Sequence, residues 1–140
     1  MGFFNKLKET HGKKPIESLK NLEDELIKLQ NRIKSEFIAI IGTGGRLKGL
    51  PLIYTTDDEN ILKSFSARII EILKTIENLS TERNFRDLTI NFEDTSILFL
   101  KPIMKDISFL AIFFDKDDIM VLKQFIYNNE RILKELFHET

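Results

Sequence analysis

The sequence predicts an α/β (α+β) fold: one five-stranded, mainly antiparallel sheet with helices on both faces. Three observations predict it. Apolar residues recur at steps of three and four in three long stretches, the pattern of amphipathic helices. Five shorter stretches are rich in β-branched and aromatic residues, as strands are. Two of these, EFIAII (36–41) and ISFLAIFF (107–114), are apolar almost without alternation, so they must lie centrally with both faces covered.

The opening MGFFNKLKETHGKKP (1–15) reads as a flexible leader before a single domain at 16–140. Phe3, Phe4 and Leu7, with Lys6 and Lys8 beside them, give residues 1–8 the makings of a weak membrane contact. After Pro15, the spacing of Ile16, Leu19, Leu22, Leu26, Leu29 and Ile33 predicts the first helix. EFIAII is the first strand and LPLIYT (50–55) the second, with Pro51 suiting a sheet edge. At TDDEN (56–60) a second helix begins. Thr56 and Glu59 have capping-box spacing, and three consecutive acids favour the positive end of the helix dipole. Its apolar stripe is Ile61, Leu62, Phe65, Ile69, Ile72, Leu73, Ile76 and Leu79.

LTINFE (88–93) alternates, Leu88, Ile90 and Phe92 facing one way and Thr89, Asn91 and Glu93 the other, which predicts a half-buried edge strand. SILFLKPI (96–103) and ISFLAIFF complete the sheet. Asp115, Asp117 and Asp118 then open a last helix with the stripe Ile119, Leu122, Phe125, Ile126, Ile132, Leu133 and Leu136. The element order is α-β-β-α-β-β-β-α, and the strand characters place the sheet in the order 2-1-5-4-3. The middle helix must then carry the chain from one edge to the other. Its ~19 residues span about 28 Å, against about 19 Å for four strand spacings, so the length suffices.

Composition removes several function classes. The net charge of −1 gives no reason to expect nucleic acid as a partner. The charge is uneven: residues 1–50 carry 10 basic and 6 acidic side chains, residues 51–140 carry 11 and 16. With no cysteine, disulfides, thiolate metal sites and Cys nucleophiles are excluded, and the two histidines, His11 and His138, stand near opposite ends of the chain. No apolar run approaches the ~18 residues of a membrane span, so the expected location is the cytoplasm.

The stretch IAIIGTGGRLKGLPLIYTT (38–56) holds four of the six glycines and invites a phosphate-binding reading. The spacing refuses it. Counting from Gly44 puts Leu50 and Pro51 where a Walker loop needs Lys and Ser/Thr, and a dinucleotide fingerprint would need glycine at Leu47. Both motifs also lead into a helix, whereas here a strand follows. The stretch predicts a hairpin connection, with Arg46 and Lys48 as a contact loop. DKDD (115–118) resembles a metal site but lacks the glycine and distal glutamate of a calcium loop, and reads as helix-start charge. No catalytic set, cofactor site or metal site stands out, so the expectation is a protein that is not an enzyme and takes no cofactor.

What remains is surface for a partner. The third strand offers a free backbone edge at Thr89, Asn91 and Glu93. Lys63, Ser66, Ile70, Lys74 and Glu77 read as a second, mixed face of the middle helix. Together they predict self-association that extends the sheet across two subunits.

On three stretches the sequence resembles the Roadblock family, the dynein light-chain and bacterial polarity-regulator group. They are IAIIGTGGRLKGLPLIYTTDDE, in which Gly49, Leu50 and Pro51 match the family's Gly-Leu-Pro-like segment, ILKSFSARIIEIL, and ISFLAIFFDKDDIMVLKQFI. The resemblance covers about residues 16–137. The present hairpin is longer and more basic than the family's. The resemblance implies a dimer, of this chain with itself or with a related Roadblock subunit, that serves small Ras-like GTPases as a regulator or scaffold. Two alternatives stand beside it. One is a longin-like structural subunit of a trafficking or motor-type complex; the other is a small-molecule sensor or cryptic enzyme using a pocket near the hairpin.

Overall fold

Phe37–Gly42 (β1) and Ile107–Phe113 (β5) are buried at every residue, and the other elements are arranged to cover them. The computed structural model describes residues 13–79 and 82–137, with side chains from Leu19 onward. The remaining elements are α1 (Lys13–Ile33), a 3₁₀ turn (Gly45–Leu47), β2 (Pro51–Tyr54), α2 (Glu59–Glu77), β3 (Leu88–Asn91), β4 (Ile97–Met104) and α3 (Asp118–Phe137). The element order is the one the sequence predicts. The sheet runs β2-β1-β5-β4-β3 with every pair antiparallel, again as predicted. Among the described residues no helix is long and apolar enough to cross a membrane.

Alternation along the central strands sends their side chains into two cores. Ile38, Ile40, Phe109, Ala111 and Phe113 face α1 and α3, where Leu19, Leu22, Leu26, Leu122, Phe125 and Leu133 meet them. Phe99, Phe109 and Phe125 are the aromatic centre of this side, with ring centroids 6.4 and 6.2 Å apart in successive pairs. Ala39, Ile41, Leu98, Leu100, Leu110 and Ile112 face the opposite way, against Leu62, Ile69 and Leu73 of α2. A hydrophobic face on each side of the sheet requires a helical layer on each side, and the apolar area removed from water holds all three layers together.

Local chemistry sets the element ends. α1 begins at Lys13, so Pro15 sits in its first turn, where a missing amide costs nothing. The leader expected at 1–15 otherwise lies outside the described residues, as do His11 and His138. The expected Thr56–Glu59 capping box does not form. The Thr56 hydroxyl accepts instead from the Asp58 amide at 3.2 Å, a turn that delays the helix, and the Asp58 carboxylate caps α2 by accepting from the Ile61 amide at 3.1 Å.

One polar knot ties α1 to the sheet. Gln30 Oε1 accepts from the hydroxyls of Ser35 and Thr55, and Gln30 Nε2 donates to the Ser35 carbonyl. Thr55 Oγ1 also accepts from the Ile38 amide at 3.0 Å. The knot fixes the exit of α1, where Lys34 takes a left-handed φ of 51°, against the start of β1 and the end of β2. Gln30→Leu leaves the Ser35 and Thr55 hydroxyls and the Ser35 carbonyl without this partner in a half-buried place. The expected cost is on the order of 2 kcal/mol, read as a lower urea midpoint with an unchanged slope.

Candidate functional site

The glycine-rich connection is a hairpin loop, and its own backbone consumes most of its hydrogen-bonding capacity. Gly42 and Gly49 bond across it (Gly42 N to Leu50 O, 2.8 Å; Gly49 N to Gly42 O, 2.9 Å), and the Thr43 amide donates to Asp106 O at 2.7 Å. Leu47, Lys48 and Leu50 donate back to Gly44, Gly45 and Leu47. A phosphate cradle needs a run of free amides at a helix start. This loop keeps few, and it feeds a strand.

The glycines answer to close contacts. A Cβ on Gly44 would stand 2.1 Å from Asp106 Oδ1, and one on Gly45 would stand 2.9 Å from Oδ2. The Asp106 side chain, held at the β4–β5 turn by a φ of 67°, lies over the loop where any side chain would be. Arg46 and Lys48 are exposed at the tip.

The DKDD segment caps a helix. Asp115 Oδ1 accepts from the Asp117 amide at 2.9 Å, and the Asp118 amide donates to Asp115 O, also at 2.9 Å. Partial burial and the charges of Asp115 and Asp117 push the Asp118 carboxyl above the usual range, with Arg32 pulling the other way. Among the described residues, no three His, Cys, Asp or Glu side chains converge on a metal position.

β3 forms the outer edge next to β4, and its alternation can be read from the hydrogen bonds. The Phe92 amide donates inward to Ser96 O at 2.9 Å. Leu88 and Ile90 share that inward phase, so the amides and carbonyls of Thr89 and Asn91 point off the sheet. Thr89, Asn91 and Glu93 are all exposed.

The helix face expected to accompany this edge needs correcting. Ser66 is fully buried and Ile70 is 7% exposed. Both belong to the core side of α2, because Ser66 lies one turn from Leu62 and from Ile69–Ile70. The Ser66 hydroxyl is satisfied within the helix by donating to Leu62 O at 2.8 Å. Lys63, Lys74 and Glu77 are exposed, Lys63 lying 3.5 Å from Glu59 and Lys74 3.9 Å from Glu71. This flank looks toward the β2 side, since Ile70 Cδ1 would be 3.7 Å from a Cβ on Gly49. It is therefore not joined to the β3 edge. The opposite flank carries Ile61, 58% exposed, with half-buried Phe65 and Ile72. Phe65 and Ile72 join Phe85, Leu88 and Ile90 at the margin of the core on the α2 face. The sequence pattern assigns Ile61, Phe65 and Ile72 to the core stripe; a wheel centred on Leu62, Ile69 and Leu73 places Ile61 and Ile72 at its rim.

Two expected outcomes follow. Gly44 has an ordinary extended backbone (φ −163°), so Gly44→Ala is opposed by sterics alone. It should cost about 1–3 kcal/mol in urea melts, and most of that should vanish in an Asp106→Gly background. At the β3–β4 turn, Asp94 Oδ1 accepts from the hydroxyl and the amide of Ser96 (2.5 and 2.9 Å), which hold its carboxyl below the usual range. Its stabilising contribution is thus present above about pH 4 and is lost as the pH falls through the lowered value. Ser96→Ala removes the larger cause, so the Asp94 titration should move up toward the ordinary carboxylate value in a carbonyl-detected NMR titration.

No protein-family model matches the chain, and no curated protein matches it. Solved structures do. The gliding protein MglB of Thermus thermophilus superposes with a TM-score of 0.69 at 12% identity, covering 91% of this chain and 94% of that one. An MglB in a tetrameric arrangement gives 0.69 at 12%, covering 89% and 94%. A Roadblock/LC7 domain from Streptomyces avermitilis gives 0.67 at 12%, covering 84% and 98%. At such identities the likeness lies in the path of the backbone, and by that path the chain has a Roadblock-type fold.

Proposed function

We propose that this chain is a non-enzymatic platform that pairs with a second copy, or with a related Roadblock subunit, and that the pair binds and regulates or scaffolds a small Ras-like GTPase. The observation that carries the pairing is the unguarded edge of β3. Edge strands are normally blunted by Pro, Lys or cover. β2 opens on Pro51, and the half of β4 that β3 leaves unpaired, Lys101–Met104, places Pro102 at the position facing outward. β3 has neither Pro nor Lys, and its own Leu88 and Ile90 are half-buried and apolar at the margin of the core on the α2 face. An antiparallel register that sets Thr89 of one copy opposite Asn91 of the other satisfies the outward amides and brings Ile90 against its counterpart. The tetrameric arrangement known for an MglB is consistent with a fold that self-associates. The GTPase partner rests on the Roadblock resemblance, which the fold supports.

Thr89→Pro deletes one outward amide and leaves the inward ladder to β4 in place, while Ile61→Asp puts a charge on the exposed flank. Each should weaken pairing tenfold or more by size-exclusion chromatography with light scattering, with circular dichroism unchanged. Retained dimer mass in both variants would overturn the proposed surface. The partner is tested separately by a pull-down against small GTPases loaded with GTP or GDP; a monomer that captures neither sinks the reading.

A further inference from the structure

A cleft of about 1180 Å³ opens on the α2 face at the hairpin end of the sheet. It is bounded by the glycine loop, the C-terminal half of α2, residues 83–85 and the β4–β5 turn. Its floor is made where three strands change character at one level. The positions facing α2 run Ile112, Leu110, Ser108 along β5, Leu98, Leu100, Pro102 along β4, and Ala39, Ile41, Thr43 along and just past β1. Ser108 pairs in register with Pro102 on one side and Ile41 on the other, so the small and polar positions are neighbours. Ser108 is 1% exposed and lines the cleft, so its side chain forms part of the floor.

The walls are apolar, with Ile70, Leu73, Ile76 and Phe85 lining them. The rim is cationic. Lys48, Lys74, Arg83 and Lys105 stand there against Glu77 and Asp106, a local excess of positive charge in a chain of net charge −1. Among the described residues neither Lys48 nor Lys105 forms an ion pair, while Asp106 is turned onto Gly44 and Gly45. An apolar lining with a few convergent polar groups is the usual makeup of a small-molecule site. Most of the loop amides are taken, and the cations stand at the mouth, so the anion would be met there by side chains.

We propose that this cleft binds a small amphiphilic anion, an acyl chain ending in a carboxylate, with the chain against Ile70, Leu73 and Phe85 and the head at Lys48 and Lys105. The site uses neither the outward amides of Thr89 and Asn91 nor the exposed flank at Ile61, so its test is read apart from the pairing and from the GTPase.

The test titrates the full chain with decanoate by calorimetry. One saturable site is expected, with decyltrimethylammonium binding at least tenfold more weakly. The surface double variant Lys48→Glu/Lys105→Glu should weaken decanoate tenfold or more, and Ser108→Leu, which fills the floor, should abolish binding. Should Ser108→Leu fail to fold by circular dichroism, the double variant decides alone. No saturable decanoate binding, or equal affinity for decanoate in the wild type and the double variant, overturns the proposal. Sedimentation with anionic phospholipid vesicles in place of free decanoate binding would assign the cations to a membrane surface and overturn it as well.

Discussion

The two-sided burial of β1 and β5 is the constraint from which the rest of the architecture follows. A strand with no exposed face leaves its neighbours to supply the edges, and β2 and β3 are the strands short enough to do so. It also forces helices onto both faces. α1 and α3 share the larger core, and α2 covers the other side alone. Because the chain enters α2 from β2 and must next build β3, it crosses from one edge of the sheet to the other between those two strands. A single helix on a five-stranded face cannot cover it all. The uncovered corner arises from that shortage.

Much of this was legible in the sequence because it rests on periodicity. The non-alternating runs at 36–41 and 107–114 identified the central strands, and the alternation of 88–93 identified the edge; strand order then followed from which faces needed cover. The rotation of α2 about its axis was harder to read. Its apolar residues span about half the helix circumference, so hydrophobicity alone could not say which part of the stripe faces the sheet. Ser66 counted as polar and therefore as exposed, yet it sits fully buried with its hydroxyl returned to Leu62 O. A small residue that satisfies itself through the preceding turn fits a close helix–sheet approach, and no composition rule marks it. The helix start departs from its pattern for a similar reason, since Thr56 found a nearer amide than the one the capping pattern assigns to it.

The glycine loop shows the complementary limit. Motif spacing was enough to reject phosphate binding, because that argument needs only local sequence and the element that follows. What the glycines are for could not be read locally. Gly44 and Gly45 are required by Asp106, which is about sixty positions away in sequence and reaches the loop only because β1 and β5 pair. Such a contact exists only after the sheet is assembled. The Thr43 amide to Asp106 O bond belongs to the same junction, so the hairpin loop and the β4–β5 turn act as one rigid lip.

The lip closes one end of the cleft. The cleft lies between the lip and the last turns of α2, on the hairpin side, where strand positions facing α2 give up large apolar side chains for Thr43, Ser108 and Pro102. Had these positions been leucine, they would have presented an apolar patch beyond the reach of α2, a liability in water. Small and polar residues remove that liability and leave a concavity in its place. At β3 the opposite solution is used: Leu88 and Ile90 stay half-buried and apolar at the margin, and the backbone edge stays open. One corner of the sheet meets solvent with small and polar residues. The other keeps an apolar margin and backbone amides that point off the sheet, the two features on which the proposed pairing rests.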